Sequence, residues 1–97
     1  MGIRKNNKHC LKIEAEIDLH GLTEKAAERE LYLFLRDVVR ERLKYIKIIT
    51  GKGLHSPDGR AIIQEMTIDI LKRLEISHRM GKILEGGDGV IIAKLPD

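Results

Sequence analysis

The sequence predicts an α/β fold: a two-layer sandwich with the order β-α-β-α-β-β and a mixed four-stranded sheet. Three observations support this prediction. The 97 residues suffice for one compact domain and not for two. The chain contains β-branched or alternating segments typical of strands, and two segments with helical periodicity lie between them. Because βαβ crossovers are right-handed, both helices should cover one face of the sheet and leave the other open.

The first predicted strand runs from Lys12 to His20, where polar and apolar residues alternate without a break. This period of two is typical of a strand with one buried face and one solvent-exposed face. Asp18 and His20 both fall on the exposed face, close to the end of the strand. Gly21 then permits a turn out of the sheet.

The remaining elements follow in order. Thr23 is a suitable N-cap for a helix that runs to about Leu43. The segment "YIKIITGKG" predicts a second strand that ends in glycines, and a second helix is expected from about Gly59 to Glu75. The closing "KILEGGDGVIIAKL" predicts two strands around a glycine-rich reversal.

Composition and charge favour a soluble cytoplasmic protein. The hydrophobic fraction is 42% and the charged fraction 34%, and with no Trp and one Phe the core should be aliphatic. The single cysteine, the lack of a signal-like segment and the lack of any long apolar run predict a cytoplasmic protein without membrane association.

The positive charge is concentrated at the N-terminus. Residues 1–12 carry four basic side chains and no acid, whereas the rest of the chain holds 14 basic and 15 acidic side chains. Residues 1–11 are therefore expected to form a basic flexible arm and residues 12–97 the domain. Such an arm either adds salt-sensitive attraction to phosphates or is a plain solvated tail.

A second motif, "ITGKGLHSPDG", connects the second strand to the second helix. Its glycines, among them Gly51 and Gly53, allow close approach of the backbone, and Lys52 supplies a positive charge. His55 and Arg60 can join an anion site built on this loop, with backbone N–H groups turned towards the anion. The spacing is not that of a nucleotide P-loop, and no dinucleotide fingerprint is present, which excludes an ATPase.

Three motifs in the right order resemble the Smr (small MutS-related) domain, found alone or at the C-terminus of MutS2-type proteins. They are "IDLHG" at residues 17–21, "TGKG" at residues 50–53 and the closing "GGDGVIIAKL", and the resemblance covers residues 13–95. It implies a fold similar to the C-terminal domain of the third bacterial translation initiation factor. It also implies nucleic-acid binding and endonuclease activity, since some members nick DNA and others cleave RNA, including messenger RNA on stalled ribosomes.

By this resemblance Asp18 and His20 are the expected catalytic pair. Residues 50–53, namely Thr50, Gly51, Lys52 and Gly53, are the expected backbone-binding loop. Many members have a histidine where this chain has Thr50, so the role of that histidine is not transferred.

The chemistry of the pair leaves several alternatives open. His20 can act as general base or general acid near neutral pH, while Asp18 either orients it or binds a divalent ion such as Mg²⁺ or Mn²⁺. Residues two apart on a strand are roughly 7 Å apart, so a water, a metal ion or the phosphate can lie between them. If RNA is the substrate, its 2′-hydroxyl can serve as the nucleophile without a metal.

Two functions remain in competition at this point. The first is an endonuclease that acts on the DNA or RNA backbone with little sequence specificity. The second is a non-catalytic nucleic-acid-binding or ribosome-binding module that uses the same surface, which the near-neutral body of the chain favours. The metal requirement and the oligomeric state are left open by the sequence.

Overall fold

The computed structural model describes residues 12–52 and 61–96. The predicted order β-α-β-α-β-β is confirmed, with two short 3₁₀ turns before the last strand. The elements are β1 (Ala15–Asp18), α1 (Glu24–Arg40), β2 (Tyr45–Ile49), α2 (Ile62–Arg73), β3 (Ser77–Met80) and β4 (Val90–Lys94), and the 3₁₀ turns are Ile83–Glu85 and Gly87–Gly89. The expected basic arm, residues 1–11, lies outside the described residues.

The strands form one mixed sheet in the order β1-β2-β4-β3. β1 and β2 are parallel, and β4 is antiparallel to both of its neighbours. β3 therefore runs parallel to β2, with β4 inserted between them. The C-terminal ends of β1, β2 and β3 and the N-terminal end of β4 therefore lie along one border of the sheet, which we call the sheet edge. β1 and β3 are the two outer strands.

The position of the third strand differs from the prediction. We expected it in the segment "KILE", but it lies earlier, at Ser77–Met80, and Ile83–Glu85 forms a 3₁₀ turn. The reason is a two-point ion pair between Arg79 and Glu85, with N–O distances of 2.7 and 2.8 Å. This contact folds the segment that follows β3 back towards the strand, so that segment cannot extend.

Both helices pack on the same face of the sheet. Their buried side chains share one aliphatic core with alternate residues of β2 and β4, and this confirms the predicted two-layer arrangement. The core residues contributed by these four elements are Ala27, Leu31, Leu35, Val38, Ile46, Ile48, Met66, Ile70, Leu71, Ile91 and Ala93. Burying each large aliphatic side chain contributes about 1.5–3 kcal/mol, so this layer supports the loops at the sheet edge.

Capping contacts mark the start of α1 and the ends of both helices. The Thr23 hydroxyl accepts a hydrogen bond from the N–H of Ala26 at 3.1 Å, as the sequence predicted. Both helices then end in left-handed residues that are not glycine, at φ 61° in Arg42 and φ 58° in Glu75. In each case the next residue closes a Schellman motif: the N–H of Leu43 donates to the carbonyl of Val38 at 3.0 Å, and that of Ile76 to the carbonyl of Leu71 at 2.8 Å. This motif ends α1 at Arg40, before the predicted Leu43.

None of the helices in residues 12–52 and 61–96 has the length and apolar character required to span a membrane.

Candidate functional site

The two motifs meet at the sheet edge where β1 and β2 end. Asp18 pairs with Ile49 in the parallel register, and Ile49 pairs in turn with Val90. The loop that follows β1, the loop that follows β2 and the turn that precedes β4 are therefore neighbours. Ligands bind at the carboxyl ends of strands in open α/β sheets, so this edge is the natural location for a site.

A tight turn displays His20 at this edge. Leu19 is fully buried, and its N–H donates to the carbonyl of Ile49 at 2.7 Å. The N–H of Leu22 donates to the carbonyl of Leu19 at 3.2 Å and closes the turn around His20 and Gly21. Gly21 has φ 82°, as the third residue of a type II turn requires. His20 is thus held at an exposed position next to the buried Leu19.

Asp18 and His20 contact each other directly. Oδ1 of Asp18 lies 2.5 Å from Nδ1 of His20 and also accepts the backbone N–H of His20 at 3.1 Å. The sequence left room for a water, metal ion or phosphate between them. The direct contact arises because the extended strand ends at Asp18, and the carboxylate caps the following turn.

This contact selects the tautomer of the neutral His20 ring and favours the ionised form of Asp18. An ionised carboxylate only accepts hydrogen bonds, so Nδ1 of His20 carries the proton and the neutral ring has its lone pair on Nε2. The hydrogen bond from the His20 side chain lowers the pKa of Asp18, partial burial opposes it, and the backbone N–H of His20 lowers it further. Asp18 is therefore ionised at neutral pH and orients the imidazole of His20.

Thr50 and Gly51 use their polar groups inside the protein. Both backbone N–H groups donate to the carbonyl of Gly89, at 2.9 and 3.0 Å. The side chain of Thr50 is buried, with the residue 4% exposed, and its hydroxyl lies 3.0 Å from the carbonyl of Gly51. These two N–H groups, which we expected to face an anion, instead join the loop to the turn before β4.

Gln64 is a contributor that the sequence reasoning missed. Its Nε2 donates to the carbonyl of Asp88 at 2.6 Å and to the hydroxyl of Thr50 at 3.3 Å. The side chain therefore ties α2 to both loops at the sheet edge. The sequence shows only an amide side chain near the start of the predicted second helix. An amide at such a position is common and indicates no particular partner.

Two glycines permit the close packing of this edge. A Cβ added to Gly51 would lie 3.3 Å from the Cβ of His20, and one added to Gly89 would lie 3.3 Å from the Cα of Gly51. The Cγ of Lys52 lies 3.5 Å from the Cβ position added to Gly89. The side chain of this exposed lysine therefore starts next to the turn that precedes β4. The other expected loop residues, Gly53, His55 and Arg60, lie outside the described residues.

The structure thus brings Asp18, His20, Gly51 and Lys52 to one edge. Across residues 12–52 and 61–96, no three or more His, Cys, Asp or Glu side chains group closely enough to hold a metal ion. Within the same residues, Nε2 of His20 makes no hydrogen bond. The arrangement is an oriented imidazole beside a lysine and a glycine-rich loop.

The sequence matches the Smr domain family over residues 17–96. It is 38% identical to the endonuclease MutS2 of Symbiobacterium thermophilum over 84 residues, which cover 87% of this chain and 10% of that protein. The chain therefore spans about a tenth of the length of the curated relatives it matches.

Solved structures agree with this match. The Smr domain of Thermus thermophilus MutS2 superposes with a TM-score of 0.73 at 26% identity, covering 86% of this chain and 99% of that domain. YdaL, a stand-alone small MutS-related protein from Escherichia coli, shares the fold with a TM-score of 0.76 at 17% identity, covering 84% of this chain and 64% of that protein. With its motifs at one sheet edge and its match over residues 17–96, the chain belongs to the Smr domain family.

Proposed function

We propose that this Smr domain is an endonuclease that cleaves the backbone of DNA or RNA with little sequence specificity. The observation that carries the proposal is the contact between Asp18 and His20, which leaves Nε2 of an exposed imidazole available next to Lys52 and Gly51. An imidazole held by a carboxylate through Nδ1 is an arrangement that general-base catalysis uses.

In this mechanism His20 and Asp18 have distinct roles. Nε2 of His20 takes the proton of the attacking oxygen, which belongs to water or to an RNA 2′-hydroxyl, as that oxygen bonds to phosphorus. Asp18 stabilises the resulting imidazolium. The leaving oxygen departs on the opposite side of phosphorus and takes its proton from water as its bond breaks, and the imidazolium later releases its proton to solvent. The ammonium group of Lys52 offsets the negative charge that develops on the phosphate.

The relatives support this proposal. The curated relatives are endonucleases by name, and this chain corresponds to about a tenth of their length. An activity located in that tenth requires a catalytic group within it, and the Asp18–His20 pair is a suitable one. If the reaction requires a divalent ion such as Mg²⁺ or Mn²⁺, the carboxylate of Asp18 would bind it.

A second candidate function is a binding module that recognises nucleic acid, or RNA within the ribosome, without cutting it. The charge distribution favours this alternative, because residues 13–97 hold 14 basic and 15 acidic side chains. A weak field gives weak nonspecific attraction to phosphates. The two functions share one surface and differ in catalysis alone.

A cleavage assay separates them. Supercoiled plasmid and structured RNA are incubated with the wild type, His20→Ala and His78→Ala, each with Mg²⁺, Mn²⁺ or EDTA. His78 is the matched control, since it lies in β3, the outer strand on the other side of the sheet from β1. Its Nδ1 lies 2.9 Å from the carbonyl of Ile76. We expect cleavage by the wild type and His78→Ala, and none by His20→Ala. Binding without cleavage by all three proteins would favour the binding module.

A further inference from the structure

We propose that Ile83 and Leu84 form an apolar wedge that enters a base step of duplex DNA while one strand crosses the Asp18–His20 pair. The inference rests on the proposed nucleic-acid function and adds a mode of binding, insertion into a base step. It also adds two positioning residues that lie outside the three sequence motifs.

The exposure of these two side chains is unusual for aliphatic residues. Ile83 is 91% exposed and Leu84 97%, whereas the next most exposed large apolar residue in the described parts of the chain, Val39, is 52% exposed. Single exposed apolar side chains are common on protein surfaces. Two adjacent ones that are almost wholly solvated form one protruding apolar feature.

The turn that carries them is held firmly. The carboxylate of Glu85 binds both terminal nitrogens of Arg79, and its Oε1 also accepts the N–H of Lys82 at 2.8 Å. The N–H of Gly87 donates to the carbonyl of Lys82 at 2.9 Å. Because the backbone is fixed before any ligand arrives, Ile83 and Leu84 can be inserted without ordering a loop.

The same turn leads directly into the site. The second 3₁₀ turn, Gly87–Gly89, follows it, and the carbonyl of Gly89 accepts the N–H groups of Thr50 and Gly51. The wedge follows β3 and Asp18 of the pair ends β1, so both lie along the sheet edge.

Positive charge accompanies the wedge. The Cε of Lys47 lies 3.9 Å from the position that a Cβ would take on Gly86, and the Cγ of Lys52 lies 3.5 Å from the equivalent position on Gly89. Of the two acidic residues near the wedge, Glu85 is neutralised by Arg79, and Asp88 is exposed in the second 3₁₀ turn. An apolar tip next to lysines fits a ligand with phosphates outside and stacked bases inside.

The chemistry of the tip favours duplex DNA over the alternatives. Ile and Leu are among the side chains that proteins insert between base steps of duplex DNA from the minor groove. Single strands are bound mainly by aromatic stacking, and this chain has only 3% aromatic residues. Double-stranded RNA is read mainly through its 2′-hydroxyls and shape, for which an aliphatic tip offers no hydrogen-bonding group.

The test uses a DNA duplex with 2-aminopurine at several pyrimidine–purine steps, which unstack most easily. All proteins carry His20→Ala so that the DNA stays intact. Binding and 2-aminopurine fluorescence are measured for this background, for Ile83→Ser/Leu84→Ser in it, and for Val39→Ser in it. Val39 is the control because it is an exposed apolar residue on α1, in the opposite layer.

We expect fluorescence to rise when the background protein and the Val39 variant bind. The wedge variant should bind about tenfold more weakly, a loss of about 1.4 kcal/mol, and leave fluorescence unchanged at saturation. The slope of affinity against salt should be the same for both, since the wedge contacts no phosphate. Melting temperatures should agree, because the substituted side chains are solvated.

Three outcomes would overturn the wedge. The first is a wedge variant with the same affinity and fluorescence as the background protein. The second is binding by the background protein that raises no fluorescence. Either result rules out the wedge and leaves the proposed endonuclease function intact. If the wild type binds neither this duplex nor a single-stranded or RNA control, both the wedge and the proposed nucleic-acid function fail.

Discussion

The ion pair between Arg79 and Glu85 should make the stability of the domain depend on pH in the acid range. The hydrogen bond from Arg79 lowers the pKa of Glu85 from 4.5 to about 2, and the backbone N–H of Lys82 contributes. Since the folded state has the lower pKa, this stabilisation is fully present above about pH 4.5. It is lost as the pH falls towards 2.

The magnitude follows from the same pKa difference. At about 1.36 kcal/mol for each pKa unit, the upper limit is about 3 kcal/mol. The side chains of Glu85 and Arg79 are 20% and 38% exposed, so water screens the pair, and exposed pairs contribute only about 0.2–1 kcal/mol. We therefore expect Glu85→Gln to lower the free energy of unfolding by about 1–2 kcal/mol at pH 7.

Urea denaturation of the wild type and Glu85→Gln between pH 2 and 7 measures this contribution. The difference between the two proteins should shrink steadily below pH 4.5 and vanish near pH 2. The single variant Arg79→Met and the double variant complete a thermodynamic cycle that isolates the pair. A difference that stays constant over this range, or a coupling energy of zero at pH 7, would refute the ion pair as the constraint on the turn.

Three further predictions concern the site and the first helix. Gly51→Ala should destabilise the domain more than Gly87→Ala and should slow cleavage. Both glycines have φ 75°, but only at Gly51 would a Cβ be placed against His20. Urea denaturation and cleavage rates compare the two variants. Lys52→Ala should weaken nucleic-acid binding evenly across sequences and lower the salt slope by about 1, as measured by fluorescence titration. Thr23→Ala should lower the free energy of unfolding by about 1 kcal/mol by removing the cap of α1, whereas Thr23→Ser should retain it.

Each of these expectations has a contrary result. Equal stability losses for the two glycine variants, with cleavage intact in both, would mean that the approach of Gly51 to His20 is not tight. A sequence-selective loss for Lys52→Ala would indicate a base contact instead of a phosphate contact. If Thr23→Ser is as unstable as Thr23→Ala, the hydroxyl is not the cap.

Alternation and helix signals were sufficient to predict the order of elements and the exposed face that carries Asp18 and His20. The parallel pairing of β1 with β2 then brings the two loops together at one end of the sheet. These features depend on local sequence patterns and on general rules of chain connection.

Features that depend on contacts between distant residues were not predictable in this way. The turn after β3 forms because Glu85 reaches back to Arg79, and Gln64 joins two loops that are distant from it in sequence. Likewise, Thr50 is held in the interior by the carbonyl of Gly89, which accepts its backbone N–H. Neither periodicity nor residue propensity contains these pairings.

The most direct test of the Asp18–His20 pair as the catalytic centre is the single-turnover cleavage rate of Asp18→Asn. The amide keeps the size of the carboxylate but cannot stabilise an imidazolium. We predict a rate lowered about 100-fold or more, with unchanged affinity for nucleic acid and unchanged melting temperature. A variant that cleaves as fast as the wild type would contradict the assignment, because the contact between Asp18 and His20 would then serve structure and not catalysis.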